Sequence, residues 1–369
     1  MKIIINTTII SGGGGMQVSL SFLNELKKFG NDEYHVFLSE SVGLHLNKEY
    51  FPANFNFYVF DQSPAHFISR KKVVKKLNML VETIEPDVIF SVFGPTYWRP
   101  NCTHVMGFAI PHIIYDDYST VRNLNFKSKI EFKYKKFELK NNADYYITES
   151  EDASLRLRNI LNDKKQKVFT VNNTYSDCFN DKLKESKRYS NAYTLLTIAN
   201  NTPHKNLKII PRVIDELKRK SIQVTFVITI PNDDYKIIFY GYEKNVINIG
   251  TIKPEECPKV YAKCDAMFLP TLLEVFSASY PEAMKMRKPI LTSNLGFAKS
   301  ICKDAALYFD PVNPKDIASK IELLVKDKKI QENLILKGEK RLLDFPNSRQ
   351  RAEKYIAICK KINKNYVQE

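Results

Sequence analysis

The sequence of 369 residues has no cysteine pattern of a zinc site or a disulfide framework. Its six cysteines (Cys102, Cys178, Cys257, Cys264, Cys302 and Cys359) are scattered, with no CxxC and no Cys/His cluster. Reduced, mostly buried thiols are therefore expected. No apolar run approaches the roughly 20 residues that span a bilayer. The opening MKIIINTTIISGGGG has too short and too polar an apolar part for a signal peptide, so it reads as a first strand. Short-period repeats and low-complexity tracts are missing as well. With 44% hydrophobic and 26% charged residues, what is left is a globular composition, long enough for two domains, and a soluble, cytoplasmic chain is expected.

The charge is strongly one-sided. A net +15 implies an anionic partner: nucleic acid, a membrane surface or a phosphorylated substrate. No zinc-finger, RNA-recognition or helix-turn-helix pattern accompanies it, so nucleic acid is not expected. The basic residues concentrate in SRKKVVKKLNML (69–80) and FKSKIEFKYKKFELKNN (126–142). In the second, Phe126, Ile130, Tyr134 and Phe137 recur near helical spacing among lysines. Two readings stay open: a basic helix lying on anionic lipid, or an ordinary helix that buries this stripe in its own core and solvates its lysines.

Short apolar strands alternate with amphipathic helices along the chain. Strands are expected at Lys2–Ile5, Tyr34–Leu38, Phe55–Val59, Asp87–Ser91, His104–Phe108, Tyr145–Thr148 and Lys167–Val171. Val18, Phe22, Leu23 and Leu26 form the apolar stripe of the first helix. A polar stretch at 172–193 interrupts the rhythm, which then restarts with strands at Tyr193–Ile198, Val224–Ile228, Val246–Ile249, Met267–Leu269 and Pro289–Thr292. Helices at roughly 314–326 and 348–363 close the chain. This alternation predicts two α/β domains with parallel sheets, residues 1–175 and 193–346, a linker at 176–192 and a last helix in 347–369.

The loop SGGGG (11–15) follows the first strand and opens the first helix. Glycines there let the backbone turn sharply and approach a ligand, and a helix N-terminus favours an anion. No Gly-Lys-Ser/Thr follows, so it is not a P-loop. As a dinucleotide fingerprint it is incomplete: Gly12-x-Gly14 is present, but the third glycine is missing, and Glu40 is the one acid placed to bind a ribose. A plain tight turn accounts for the loop as well.

The stretch PTLLEVFSASYPEAMKMRKPI (270–290) carries two glutamates, Glu274 and Glu282, around a turn of small residues. Carboxylates accept paired hydrogen bonds from vicinal hydroxyls, and a small-residue turn leaves amides open to phosphate. Such a pair suits a molecule with diols at both ends and phosphate between. Glu274-x7-Glu282, followed by Ala283-Met284 and Lys288-Pro289-Ile290, resembles the E-x7-E signature of glycosyltransferase family 4. The segment Ala305-Ala306-Leu307-Tyr308-Phe309-Asp310-Pro311 is similar to the family's stretch after the donor site. Upstream, residues 197–206, ending His204-Lys205-Asn206, resemble the strand-turn element whose lysine binds the donor diphosphate, and the glycine loop sits where the family places one.

The resemblance implies the GT-B fold: two doubly wound, Rossmann-like domains facing across a cleft, with the C-terminal helix returning to the first. It implies a retaining, metal-independent glycosyltransferase of the hexosyltransferase type, using a nucleotide-sugar donor and no other cofactor. A metal-dependent sugar transferase would carry Asp-x-Asp after an apolar strand, and none is found. By the same resemblance Glu282 holds the ribose hydroxyls, Glu274 the transferred sugar, and Lys205 the diphosphate. The amides of Phe276, Ser277 and Ala278 cradle that diphosphate, with Gly13, Gly14 and Asn200 as further donor contacts. The sequence departs from the pattern at Asn200, where the family commonly has a second cation, and at Val275 and Ser277, where it often has glycines. Ala109 stands where many members carry a histidine; His112, three residues on, is the candidate in its place. The acceptor implied is a glycan or lipid-diphosphate-linked glycan of bacterial surface polysaccharide assembly (O-antigen, capsule or lipopolysaccharide), reached from the inner face of the cytoplasmic membrane. A GT-B nucleotide-sugar epimerase or hydrolase, a nicotinamide-dependent oxidoreductase and a non-catalytic membrane-associated binding protein are the alternative readings.

Overall fold

In the computed structural model, residues 1–115, 124–163, 167–181 and 187–366 are described, with side chains up to residue 363. They fall into two compact units, residues 1–172 with 347–369 and residues 173–346. The first holds seven parallel strands: β1 (Lys2–Asn6), β2 (Glu33–Ser39), β3 (Phe55–Phe60), β4 (Val88–Gly94), β5 (His104–Phe108), β6 (Tyr145–Thr148) and β7 (Val168–Thr170). Their spatial order is β3-β2-β1-β4-β5-β6-β7. The second unit holds six parallel strands: β8 (Tyr193–Thr197), β9 (Val224–Ile228), β10 (Val246–Asn248), β11 (Ala266–Leu269), β12 (Ile290–Ser293) and β13 (Leu307–Phe309). Their order is β10-β9-β8-β11-β12-β13.

Both sheets are doubly wound. The chain works outward from β1 to β3, returns to the other side of β1 and continues outward; the second unit repeats this about β8. Parallel strands buried on both faces need continuous apolar runs. Ile3-Ile4-Ile5 of β1 and Ala266–Leu269 of β11 supply them, each residue no more than 1% exposed. The stripe Val18, Phe22, Leu23 and Leu26 of helix Gly13–Leu26 enters the first unit's core as expected. Elements outside the expected set appear near the end of the second unit. Leu307–Phe309 is the edge strand β13, too short for alternation to register, and helix Lys328–Leu342 follows at once on Pro314–Lys326, restarted by Asp327, whose carboxylate accepts from the Ile330 amide at 3.1 Å.

The reading in which Phe126, Ile130, Tyr134 and Phe137 fill the core is overturned. All four are exposed on helix Phe126–Asn141, and Leu139 is its one fully buried residue.

Candidate functional site

In an open parallel sheet, the loops leaving two adjacent strands in opposite directions part at the strand order's reversal point and leave a crevice. In the second unit that point lies between β8 and β11. The loop after β8 carries Asn200 and Lys205; the loop after β11 carries Glu274, Phe276, Ser277 and Ala278. Lys205 Nζ donates to Glu274 Oε1 there, an ion pair between residues 69 apart in sequence.

Side chains that bind backbone hold these loops in place. Asn206 ends the short turn Pro203–Lys205 in the left-handed region, at φ +57°, which asparagine tolerates better than most residues. Its side-chain amide donates to the carbonyls of Pro270 (3.1 Å) and Pro311 (2.8 Å), tying the loops after β8, β11 and β13 together. Leu272 N donates to the His204 carbonyl at 2.7 Å. Thr271 Oγ1 shares its proton between that carbonyl (3.1 Å) and Glu274 Oε1 (3.2 Å). Glu274 is thus buried with a cation and a hydroxyl on one oxygen. The His204 imidazole is pushed down to about 4, first by burial and then by the adjacent Lys205 charge, so it is neutral at physiological pH.

Glu282 occupies different surroundings. The helix carrying it runs only from Ser279 to Lys285, so most of the interval from Glu274 is loop rather than helix. Tyr261, fully buried, donates toward Glu282 Oε2 at 3.3 Å and toward the Ser279 carbonyl at 3.2 Å. Burial raises the Glu282 carboxyl to about 7, the Tyr261 hydrogen bond opposing it only in part. No side chain caps the Ser279 helix, and among the described residues nothing accepts the amides of Phe276, Ser277 and Ala278. Phe276 packs edge-on against Phe345, ring centres 6.1 Å apart. Asn200 is exposed and accepts from Thr202 at 3.0 Å.

Sequence reasoning missed Tyr261, which is 21 residues from Glu282 and marked by no local pattern, and it gave Asn206 and Thr271 no role although both lie in the stretches it singled out.

The remaining candidates belong to the first unit. Gly13 and Gly14 begin helix Gly13–Leu26, where β1 and β4 diverge. Gly13 sits at φ +63°, and a methyl group added at Gly13 or Gly14 would meet open space. Ser39 Oγ fastens the loop by donating to the Ile10 carbonyl at 2.5 Å, and caps the next helix by accepting from Val42 at 3.2 Å. Glu40 lies exposed in the first turn of that helix. His112 lies on the one-turn helix Pro111–Ile114, its ring stacked on Phe132 at 4.5 Å. His104 is structural. It lies in a buried chain in which Asn6 Nδ2 donates to Ser91 Oγ (2.9 Å), Ser91 to His104 Nε2 (2.8 Å), and His104 Nδ1 to the Asn142 carbonyl (2.5 Å). Burial pushes its imidazole down to about 4.

Residues 179–341 match the family model described as "Glycosyl transferases group 1". The second unit is a group 1 glycosyltransferase domain. No curated protein matches the chain. Among solved structures, a glycosyltransferase from Rickettsia africae is similar at 14% identity and TM-score 0.73, over 99% of each chain. Sucrose-phosphate synthase from Thermosynechococcus elongatus is similar at 13% identity and TM-score 0.73, over 98% of each chain. HepE of Anabaena, solved with UDP and glucose, is similar at 14% identity and TM-score 0.71, covering 97% of this chain and 99% of its own. At such identities the likeness is one of fold: each unit of this glycosyltransferase is Rossmann-like, as GT-B requires. Among the described residues of the glycosyltransferase no helix is long and apolar enough to cross a membrane. All six of its thiols are free, four of them buried.

Proposed function

We propose that this chain is a retaining, metal-independent family 4 transferase that moves a sugar, of the hexosyl type, from a nucleotide-sugar to a glycan or lipid-diphosphate-linked acceptor. One observation carries the reading: Lys205 and Glu274 are paired where β8 and β11 diverge, beside the unclaimed amides of Phe276, Ser277 and Ala278. As the bond from the anomeric carbon to the diphosphate breaks, negative charge grows on the leaving oxygens. A lysine and fixed amides aimed there lower the barrier. Lys205 and Glu274 pair with each other, and a diphosphate that takes Lys205 frees Glu274 to accept from the sugar's hydroxyls. Glu282, oriented by Tyr261, accepts from the ribose hydroxyls. Attack comes from the face the diphosphate leaves, and the acceptor's proton passes to a diphosphate oxygen. Asn200 supports the diphosphate with a neutral amide. By the resemblance Gly13, Gly14 and His112 of the first unit are further donor contacts, and the acceptor binds the first unit. The product belongs to surface polysaccharide of the O-antigen or capsule kind, made on the cytoplasmic side of the membrane.

Thermal stabilisation by UDP, GDP, dTDP and CDP and their sugars tests this, since a ligand at 100 times its Kd adds about 2.7 kcal/mol to apparent stability. One nucleotide is expected to raise Tm, and its sugar conjugate to raise it further. Glu282→Ala is expected to abolish the rise, and Glu274→Ala to remove mainly the increment from the sugar. If no nucleotide moves Tm, the proposal fails. If both variants respond alike to the bare nucleotide, the division of roles fails.

A further inference from the structure

An amphipathic helix on a globular unit turns its apolar stripe inward. Helix Phe126–Asn141 carries apolar side chains on both faces and leaves four of them in solvent. At about 100° per residue, Phe126, Ile130, Tyr134 and Phe137 fall within an arc of about 80°. Their exposures are 80%, 52%, 40% and 62%. The buried Leu139 and half-buried Ser128, Phe132 and Lys135 lie on the opposite face. Lys129, Lys133, Lys136 and Lys140 line one edge of the outward stripe, and among the described residues no ion pair takes them. The helix's two acids are already engaged, Glu131 by Lys135 at 2.6 Å and Glu138 by Arg70 at 3.7 Å. Arg70 also donates to the Tyr134 hydroxyl and lies over the rings of Tyr97 and Tyr134, 4.8 and 5.7 Å from their centres. It thereby joins the stripe to the start of helix Arg70–Ile84, where Phe67 and Ile68 are also exposed and Lys71, Lys72 and Lys75 face solvent.

We propose that this face docks on an anionic lipid bilayer. Phenylalanine and isoleucine can sink to the depth of the headgroups, and flanking lysines then meet lipid phosphates. A second copy fits poorly, because two such faces would oppose lysine to lysine. A protein partner fits less well than lipid, since lysine is depleted from protein interfaces. The surface is independent of the donor site and stands whichever nucleotide binds there.

The test is flotation of the full chain with phosphatidylcholine vesicles and with vesicles containing about 30% phosphatidylglycerol, at about 0.1 M and 0.5 M NaCl. Flotation is expected with the anionic vesicles at low salt and not with phosphatidylcholine alone. The triple variant Phe126→Ser, Ile130→Ser, Phe137→Ser changes only exposed side chains and is expected to keep the wild-type Tm while partitioning at least about tenfold less. The variant Lys129→Gln, Lys133→Gln, Lys136→Gln is expected to lose most of the salt-sensitive part. Failure of the wild-type chain to float overturns the proposal. So does flotation of the serine variant at the wild-type level, or a dimer in light scattering that the serine substitutions split while vesicle binding is unchanged.

Discussion

Glu282 carries its charge against its surroundings. Burial lifts its carboxyl from 4.5 to about 7, so in the folded chain it is protonated over a range in which the unfolded chain has released the proton. Stability therefore falls as pH rises from about 4.5 to about 7, by up to about 3 kcal/mol for a shift of this size, and is flat on either side. Glutamine at this position holds the same shape and never ionises. Glu282→Gln should accordingly match wild type near pH 4.5 and melt higher than wild type at pH 8, while binding nucleotide more weakly. Parallel Tm curves across this range would show that the residue's burial has no such effect. A carboxylate retained at that thermodynamic cost is what a ligand-binding acid would be, and Tyr261 is the group that holds it.

At the scale of one element, the two glycines opening helix Gly13–Leu26 separate conformation from contact. Gly13 has φ +63°, so an added methyl group strains the backbone even though space is open. Gly13→Ala should cost about 1–2 kcal/mol. Gly14 lies within the helix with nothing near its Cα substituent, so Gly14→Ala should be neutral or stabilise by about 0.4–1 kcal/mol, through the unfolded chain's reduced freedom. If the loop amides approach a substrate, that same stabilising substitution should raise KM for the donor or acceptor. Urea melts and steady-state kinetics on the pair decide it: a stabilised Gly14→Ala with unchanged KM would make the glycines a turn and nothing more. Helix Phe126–Asn141 carries the parallel lesson: with apolar residues on both faces, its sequence does not say which side meets the core.

For the whole molecule, the chain enters its second unit at Asn173 and returns to the first at Asn347. The returning helix Ser348–Tyr366 places Ala352, Tyr355, Ile356, Cys359 and Ile362 in the core formed by β1, β2 and β4. Tyr355 meets Phe22 and Phe90 with ring centres 5.4 and 5.1 Å apart. Tyr355→Ala should cost about 3–5 kcal/mol, and ending the chain at Pro346 should leave the first unit unable to fold stably. Solubility and Tm measurements check both; a truncated chain with wild-type Tm would show the helix to be an appendage. Leu334 thus belongs to the second unit's core and Ala352, 18 residues on, to the first unit's, which only long-range packing can arrange.

Local chemistry determined much of this protein. Continuous apolar runs set the strands, their alternation with helices set two parallel α/β halves, and the residue order Lys205, Glu274, Glu282 pointed to the loops of interest. Those signals are legible because strand burial and helix periodicity act over a few residues. Tertiary structure alone decided that Lys205 would meet Glu274, because that contact depends on β8 and β11 becoming neighbours across 69 residues of intervening chain. It alone supplied Tyr261 to the site, tied Asn206 to Pro270 and Pro311, and gave Glu282 surroundings that hold its proton to near neutral pH. It also turned the apolar stripe of Phe126–Asn141 outward. A periodic pattern specifies a stripe; which side of the stripe is covered depends on what else the fold brings beside it.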